Sequence, residues 1–327
     1  MNLLPKRPPI PLIPSLILTG VIIGFVATRT NIWVGLVLFL VIIVLPVTYM
    51  TYVYYLGAVM AMRGELHDAI KHYGRVLKLP VNKAMVYARR AALKNAVGDV
   101  DGAIADYTAA MRHQPDADPA LYAIRSALYL GKREFELAIE DSNRLLELLP
   151  DSEIGFANRA AARMFLGDVE GAIRDCDTGL EKPNSPSGKA LLYNNRGTAY
   201  RLSGEYTEAM ANYNLAMSAS LSAQEKLMIH PSITTNQGLI YYLQKDFDNA
   251  RVYFQQAINT NPAFSKALVS LAAARFKMGQ LADAQKLWQD IIKAEPRYHD
   301  SHFLQQDLNL PVEMMSDVSA LVASITA

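Results

Sequence analysis

Two long apolar runs without charge open the chain, and amphipathic helical segments follow them to the C-terminus. The first run covers residues 10–28 and the second covers residues 32–56. Each run is long enough for a helix that crosses a hydrocarbon core of about 30 Å. The pattern therefore predicts an N-terminal two-helix transmembrane hairpin. Because Lys6 and Arg7 precede the first run, a cleaved signal peptide is the alternative.

Aromatic and basic residues around these runs predict a location and an orientation. Amphipathic rings prefer membrane interfaces, and the rings near the ends of the second run belong to Trp33, Tyr49, Tyr52, Tyr54 and Tyr55. Basic side chains are more frequent in residues 1–9 and after the second run than between the runs. We therefore expect an integral protein of a bacterial inner membrane or an organellar membrane, embedded through residues 10–56. Residues 1–9 would form a cytosolic tail, with both termini and the following domain on the cytoplasmic side.

An alanine recurs at a nearly constant interval through the rest of the chain. The successive spacings are 34, 35, 34, 37, 41 and 34 residues. The seven positions, which number repeats one to seven and which we call the crossing alanines, are Ala69, Ala103, Ala138, Ala172, Ala209, Ala250 and Ala284. A fixed period of this length indicates a stack of equivalent helix hairpins.

A second small residue stands twelve positions before each crossing alanine. These residues are Gly57, Ala91, Ser126, Ala160, Gly197, Gly238 and Ala272. Two helices that cross closely leave no room there for a large side chain, so the pattern predicts a close crossing in every hairpin. Because Gly57 lies directly after the second apolar run, we expect the second transmembrane helix to continue as the first helix of repeat one.

The alanine spacing, with glycine-rich turns between paired helices, resembles the tetratricopeptide repeat family over residues 50–297. The resemblance implies an all-α fold: a right-handed α-solenoid of about seven helix hairpins, with residues 298–327 as a C-terminal capping helix. It also implies binding of protein partners through the first helices of the repeats. A repeat fold alone does not define a function.

Asparagines recur at one position of the first helices of repeats four to six. They are Asn158, Asn195 and Asn236, and Asn194 stands beside the second of them. An asparagine amide both donates and accepts hydrogen bonds. The series resembles the asparagine ladders with which some tetratricopeptide repeat proteins hold extended polypeptides; capping or solvated asparagines are the alternative.

The family's two-carboxylate clamp for chaperone tails is incomplete in this sequence. Ala161 and Thr198 stand where the resemblance implies an asparagine, so binding of chaperone C-termini is not expected. Arginines follow the asparagine position in several repeats, namely Arg90, Arg125, Arg159 and Arg196. Their long side chains are expected to bond acids or carbonyls of the neighbouring helix, with ligand binding as the alternative.

Charge and motifs exclude several classes of function. A net charge of +1 argues against a nucleic-acid binder, and the single Cys176 excludes an intramolecular disulfide. The sequence contains no phosphate-binding glycine loop and no zinc-protease or nucleophile-elbow motif. His299 and His302 could share a metal, but a third ligand is not evident. We therefore predict no enzyme, no cofactor and no metal site.

These observations together predict a membrane-tethered scaffold for protein–protein interaction that helps to assemble a membrane complex. One alternative is a permanent structural subunit of a respiratory, photosynthetic or secretion complex. An enzyme or a metal-binding protein is a remote alternative. The identity of the client protein does not follow from the sequence.

Overall fold

A computed structural model describes Val37 and residues 45–79, 82–114 and 118–326 of the protein. These residues belong to two compact units, and the boundary between the units falls between Leu121 and Tyr122. The described part of the first unit contains two complete helix hairpins. Its helices are α1 (Leu45–Met62), α2 (Leu66–Val76), α3 (Lys83–Ala96) and α4 (Val100–His113).

The second unit begins within α5 (Pro119–Lys132) and also consists of helix hairpins. The following helices are α6 (Phe135–Leu148), α7 (Glu153–Phe165), α8 (Val169–Leu180), α9 (Pro186–Leu202), α10 (Tyr206–Met217), α11 (Ala223–Leu243), α12 (Phe247–Thr260), α13 (Ser265–Lys277) and α14 (Leu281–Ala294). A short 3-10 helix (Pro296–His299), α15 (Ser301–Leu308) and α16 (Val312–Thr326) follow. The predicted all-α architecture of helical repeats is confirmed for the described residues.

Each hairpin is built around its crossing alanine. All seven crossing alanines are 0% exposed. At the partner position in repeat five, a Cβ atom on Gly197 would lie 2.8 Å from the ring of Tyr213 and 3.1 Å from the carbonyl oxygen of Ala209. The two helices therefore approach so closely that the ring of the second helix occupies the side-chain space of the first.

The turn inside each hairpin has a residue with left-handed backbone angles five positions before the crossing alanine. Five of these residues are glycines, namely Gly64, Gly98, Gly167, Gly204 and Gly279. Arg133 and Lys245 have the same conformation in repeats three and six, with φ of 62° and 65°. Gly131 lies two positions before Arg133, within α5. The turn geometry is thus kept where glycine is absent, at a cost in backbone strain.

Replacing Lys245 by glycine is therefore expected to stabilise the second unit by up to about 1 kcal/mol, because glycine reaches positive φ without steric cost. Urea unfolding followed by circular dichroism measures the change. Gly204→Ala is the matched control, since it places a Cβ at a φ of 81° and should destabilise by a similar amount. A Lys245→Gly variant less stable than the wild type would contradict this account.

The two longest spacings between crossing alanines correspond to longer first helices, α9 and α11. The insertion before repeat six lies in α11, which has 21 residues and contains Pro231. Its first turn is stabilised by a capping box, in which the Ser222 hydroxyl accepts from the Glu225 N–H and the Glu225 carboxylate accepts from the Ser222 N–H. Leu227 and Met228 are exposed on this extension. The insertion is therefore a helical projection and not a longer connection between hairpins.

The predicted membrane localisation is wrong. Within the described ranges, no helix combines the length and the apolar character needed to cross a bilayer. Apart from Val37, the described part of the predicted span 32–56 belongs to α1, and α1 packs against α2. This finding overturns the expected integral membrane protein with its repeat domain and both termini on the cytoplasmic side. The predicted first helix, 10–28, lies outside the described residues.

Candidate protein-binding face

The asparagines predicted to bind a peptide make hydrogen bonds between successive first helices. Asn158 Nδ2 in α7 donates to the carbonyl oxygen of Ala123 in α5 at 3.2 Å. Asn195 Nδ2 in α9 donates to the carbonyl oxygen of Ala157 in α7 at 3.0 Å. These two side chains therefore link the first helices of neighbouring repeats through their amide nitrogens.

Asn194 and Asn236 lie together farther along this face. Asn236 Nδ2 in α11 donates to Asn194 Oδ1 in α9 at 3.1 Å and approaches Thr198 Oγ1 at 3.5 Å. Asn236 Oδ1 accepts from Lys266 Nζ in α13 at 3.4 Å. The first helices of three consecutive repeats thus bring four polar side chains together. We call Asn194, Thr198, Asn236 and Lys266 the polar cluster.

The polar cluster has a positive charge with no acid paired to it. Burial and the nearby guanidinium of Arg201 lower the pKa of Lys266 to about 7. Arg201 in α9 is itself buried, and its Nε has no hydrogen-bond partner within the described residues. Neither cation forms an ion pair in that part of the chain. Two basic side chains thus lie beside the amide and hydroxyl groups of the polar cluster, and no acid within the described residues pairs with them.

Sequence reasoning missed Lys266 and Arg201. Lys266 lies one helical turn before Ser270, which is the residue of repeat seven equivalent to Asn236. The repeat register could have identified this lysine, because residues one turn apart share a helix face. Nothing in the sequence distinguishes Arg201 from a surface arginine that ends a helix.

The recurrent arginines are structural in three repeats. Each forms a two-pronged ion pair with an aspartate sixteen residues later, on the second helix of the same hairpin. The pairs are Arg90 with Asp106 at 2.7 Å, Arg125 with Asp141 at 2.6 Å and Arg159 with Asp175 at 2.6 Å. In repeat five, Arg196 Nε donates to Asn212 Oδ1 at 2.7 Å instead. The predicted bonding to the neighbouring helix is therefore observed.

The other candidate residues show no reactive arrangement. Cys176 is buried, and burial raises the pKa of its thiol. His302 Nε2 lies 2.7 Å from Nε2 of Gln306. Within the described ranges, no three His, Cys, Asp or Glu side chains come together as a metal site.

The tyrosines of α1 divide into packed and exposed residues. The ring of Tyr54 lies 6.1 Å from the ring of Tyr73, and its hydroxyl accepts from Arg89 Nε at 2.9 Å. Tyr49, Tyr52 and Tyr55 are exposed. Tyr54 thus belongs to the packing of repeats one and two, and Trp33 lies outside the described residues.

Comparisons with known proteins agree with the helical repeat geometry. Family models described as tetratricopeptide repeat match residues 190–222 and 241–305. The crystal structure of a tetratricopeptide repeat protein from Parabacteroides merdae aligns with a TM-score of 0.56 and 18% identity, over 79% of this chain and 96% of that chain. The described helices are therefore tetratricopeptide repeats in fold.

Curated relatives match over segments. Protein FlbA of Caulobacter vibrioides is 32% identical over 107 residues, which cover 29% of this chain and 18% of that protein. Hsp70-Hsp90 organizing protein 2 of Arabidopsis thaliana is 22% identical over 195 residues, which cover 51% of this chain and 34% of that protein. The chain thus covers about a third or less of the length of these two relatives.

Proposed function

We propose that the protein is a non-catalytic scaffold that binds an extended, acidic segment of a protein partner and thereby helps to assemble a complex. The observation that carries the proposal is the polar cluster with the nearby Arg201. Neither Lys266 of the cluster nor Arg201 has an acidic partner within the described residues. A charge with no partner inside a folded chain is costly, so a carboxylate of a partner would gain a favourable site.

The asparagines supply the neutral part of this surface. Asn158 is half-buried and keeps its Oδ1 as an acceptor for a backbone N–H group of a partner, since its amide nitrogen is already bonded. An acceptor in repeat four, followed by basic side chains in repeats five and seven, matches an extended chain with an acidic residue toward one end. The name of the Arabidopsis relative describes a protein that organizes two other proteins, which supports the same class of function.

Lys266→Ala is expected to weaken partner binding about tenfold or more, because a hydrogen bond to a charged group contributes roughly 1.5–3 kcal/mol. The partner is first identified by crosslinking in native extracts, and its affinity is then measured by calorimetry with the full chain. Asn194→Ala should weaken binding less, since it removes one neutral group. The control is Lys286→Ala, which removes an exposed lysine from α14.

The same binding should weaken as the pH rises above 7. Lys266 has its pKa near that value in the free protein, and a bound carboxylate favours its protonated form, so binding takes up a proton. Equal affinity of the wild type and Lys266→Ala, with no pH dependence, would refute the proposed site.

A further inference from the structure

The first helices of repeats six and seven each contain a stretch that is buried on every side. In α11, all eight residues from Ile233 to Ile240 are buried, and in α13 the same holds for the six residues from Val269 to Ala274. An α-helix has 3.6 residues per turn, so each of these stretches includes residues that point in all directions. Some part of the chain must therefore cover the side that first helices usually leave for partners.

The corresponding helices of repeats four and five have an open side. In the stretches equivalent to the buried part of α11, Asn158 and Arg159 of α7 and Asn194 and Arg196 of α9 are only partly buried. The cover is thus specific to the last two repeats.

The C-terminal segment, Pro296–Thr326, covers the first helix of repeat seven and contacts the end of that of repeat six. Leu239 of α11 belongs to one buried apolar cluster with Leu304 and Leu308 of α15 and with Met314 and Val318 of α16. α16 also packs against both helices of repeat seven. Apolar area removed from water is the main contribution to such an interaction.

Polar contacts fix the segment in register. Asp317 of α16 accepts from the Tyr242 hydroxyl at 2.6 Å and pairs with Lys277 Nζ at 3.1 Å. Tyr242 belongs to repeat six, although a helix stacked simply as the next element would contact repeat seven. The carbonyl oxygen of Gln306 also accepts from Arg133 of repeat three at 3.4 Å. The segment therefore reaches farther than covering the last hairpin requires.

We propose that the C-terminal segment is an intramolecular ligand of the repeats, and that it competes with protein partners for the first helices of repeats six and seven. The competing partner would be an acidic segment with apolar side chains and a carboxylate placed to meet Tyr242 and Lys277, as Asp317 does. The polar cluster includes residues of the same two repeats, so release of the segment would regulate the binding proposed above. Only this regulatory consequence rests on the proposed function.

Native-state hydrogen exchange of the full chain tests whether the segment opens by itself. We expect the amides of α16 to exchange at least about tenfold faster than those of α13, because a releasable segment opens without global unfolding. Asp317→Ala should accelerate exchange of α16 by a further factor of about ten, as expected for the loss of charged hydrogen bonds. Glu313→Ala, which removes an exposed acid from the same helix, is the control and should change neither rate.

A second measurement uses a labelled peptide of residues 298–326 as the probe. In the wild type, the tethered C-terminal segment prevents the peptide from binding, since tethering gives the segment an effective concentration near the millimolar range. The Asp317→Ala chain should bind the peptide at least about tenfold more tightly than the wild type or Glu313→Ala does. Because no external partner is used, the result is independent of the Lys266→Ala experiment. Exchange of α16 and α13 at one common rate in all three chains, without peptide binding, would overturn the proposal.

Discussion

Asp175→Ala is expected to destabilise the second unit by about 3 kcal/mol. The Asp175 carboxylate is 4% exposed and is held by Arg159 at 2.6 Å and by Arg163 at 2.7 Å. Removing one partner of a buried ion pair leaves the other charges unpaired and costs about 3–5 kcal/mol. The two arginines are partly exposed and can recover some hydration, which places the expected loss at the lower end of this range. Urea unfolding of the full chain, followed by circular dichroism, measures it.

Glu170→Ala is the matched control for this substitution. Glu170 and Arg174 form an exposed pair at 3.8 Å in the same helix, α8, and exposed pairs contribute little. The control should therefore change stability by less than about 0.5 kcal/mol. If Asp175→Ala lost no more than the control, the ion pairs between paired helices would not be a source of stability in these repeats.

The repeat fold follows from the sequence because its cause is steric and local. The crossing alanines could be identified without a structure, since a large side chain at any of them would separate two helices. The acidic partners of Arg90, Arg125 and Arg159 could not be assigned individually. They lie on a different helix from the arginines, where several acids are within reach of a flexible side chain.

Other features depend on tertiary structure that periodicity does not specify. Lys245 takes left-handed angles because the turn geometry of repeat six is imposed by the packing of its two helices. Lys266 becomes part of the polar cluster only when three first helices stack. The membrane prediction was wrong because it relied on the hydropathy of the second apolar run. Most of the described part of that run belongs to α1, a helix that packs in repeat one.

Gly197→Val is expected to cost about 3 kcal/mol or more, as overpacking of a tight contact does. A side chain at this position would lie against the Tyr213 ring and against backbone of α10, which has no flexible end to move aside. Because each repeat is stabilised by its neighbours, separation of α9 from α10 should also disturb the hydrogen bond between Thr198 and the Tyr213 hydroxyl, 3.3 Å long. The thermal unfolding midpoint of the full chain measures the loss of stability.

Gly131→Val is the control that separates packing from the general effect of adding a side chain to a helical glycine. No atom lies within 4 Å of a Cβ at Gly131, and valine has a higher helix propensity than glycine. The control should be neutral or slightly stabilising. Equal losses at Gly197 and Gly131 would show that the close crossing of α9 and α10 is not what selects glycine in repeat five. A large loss of stability for Gly197→Val alone would show that the small residue stabilises the hairpin of α9 and α10. Of these two helices, α9 carries Asn194 and Thr198 of the polar cluster.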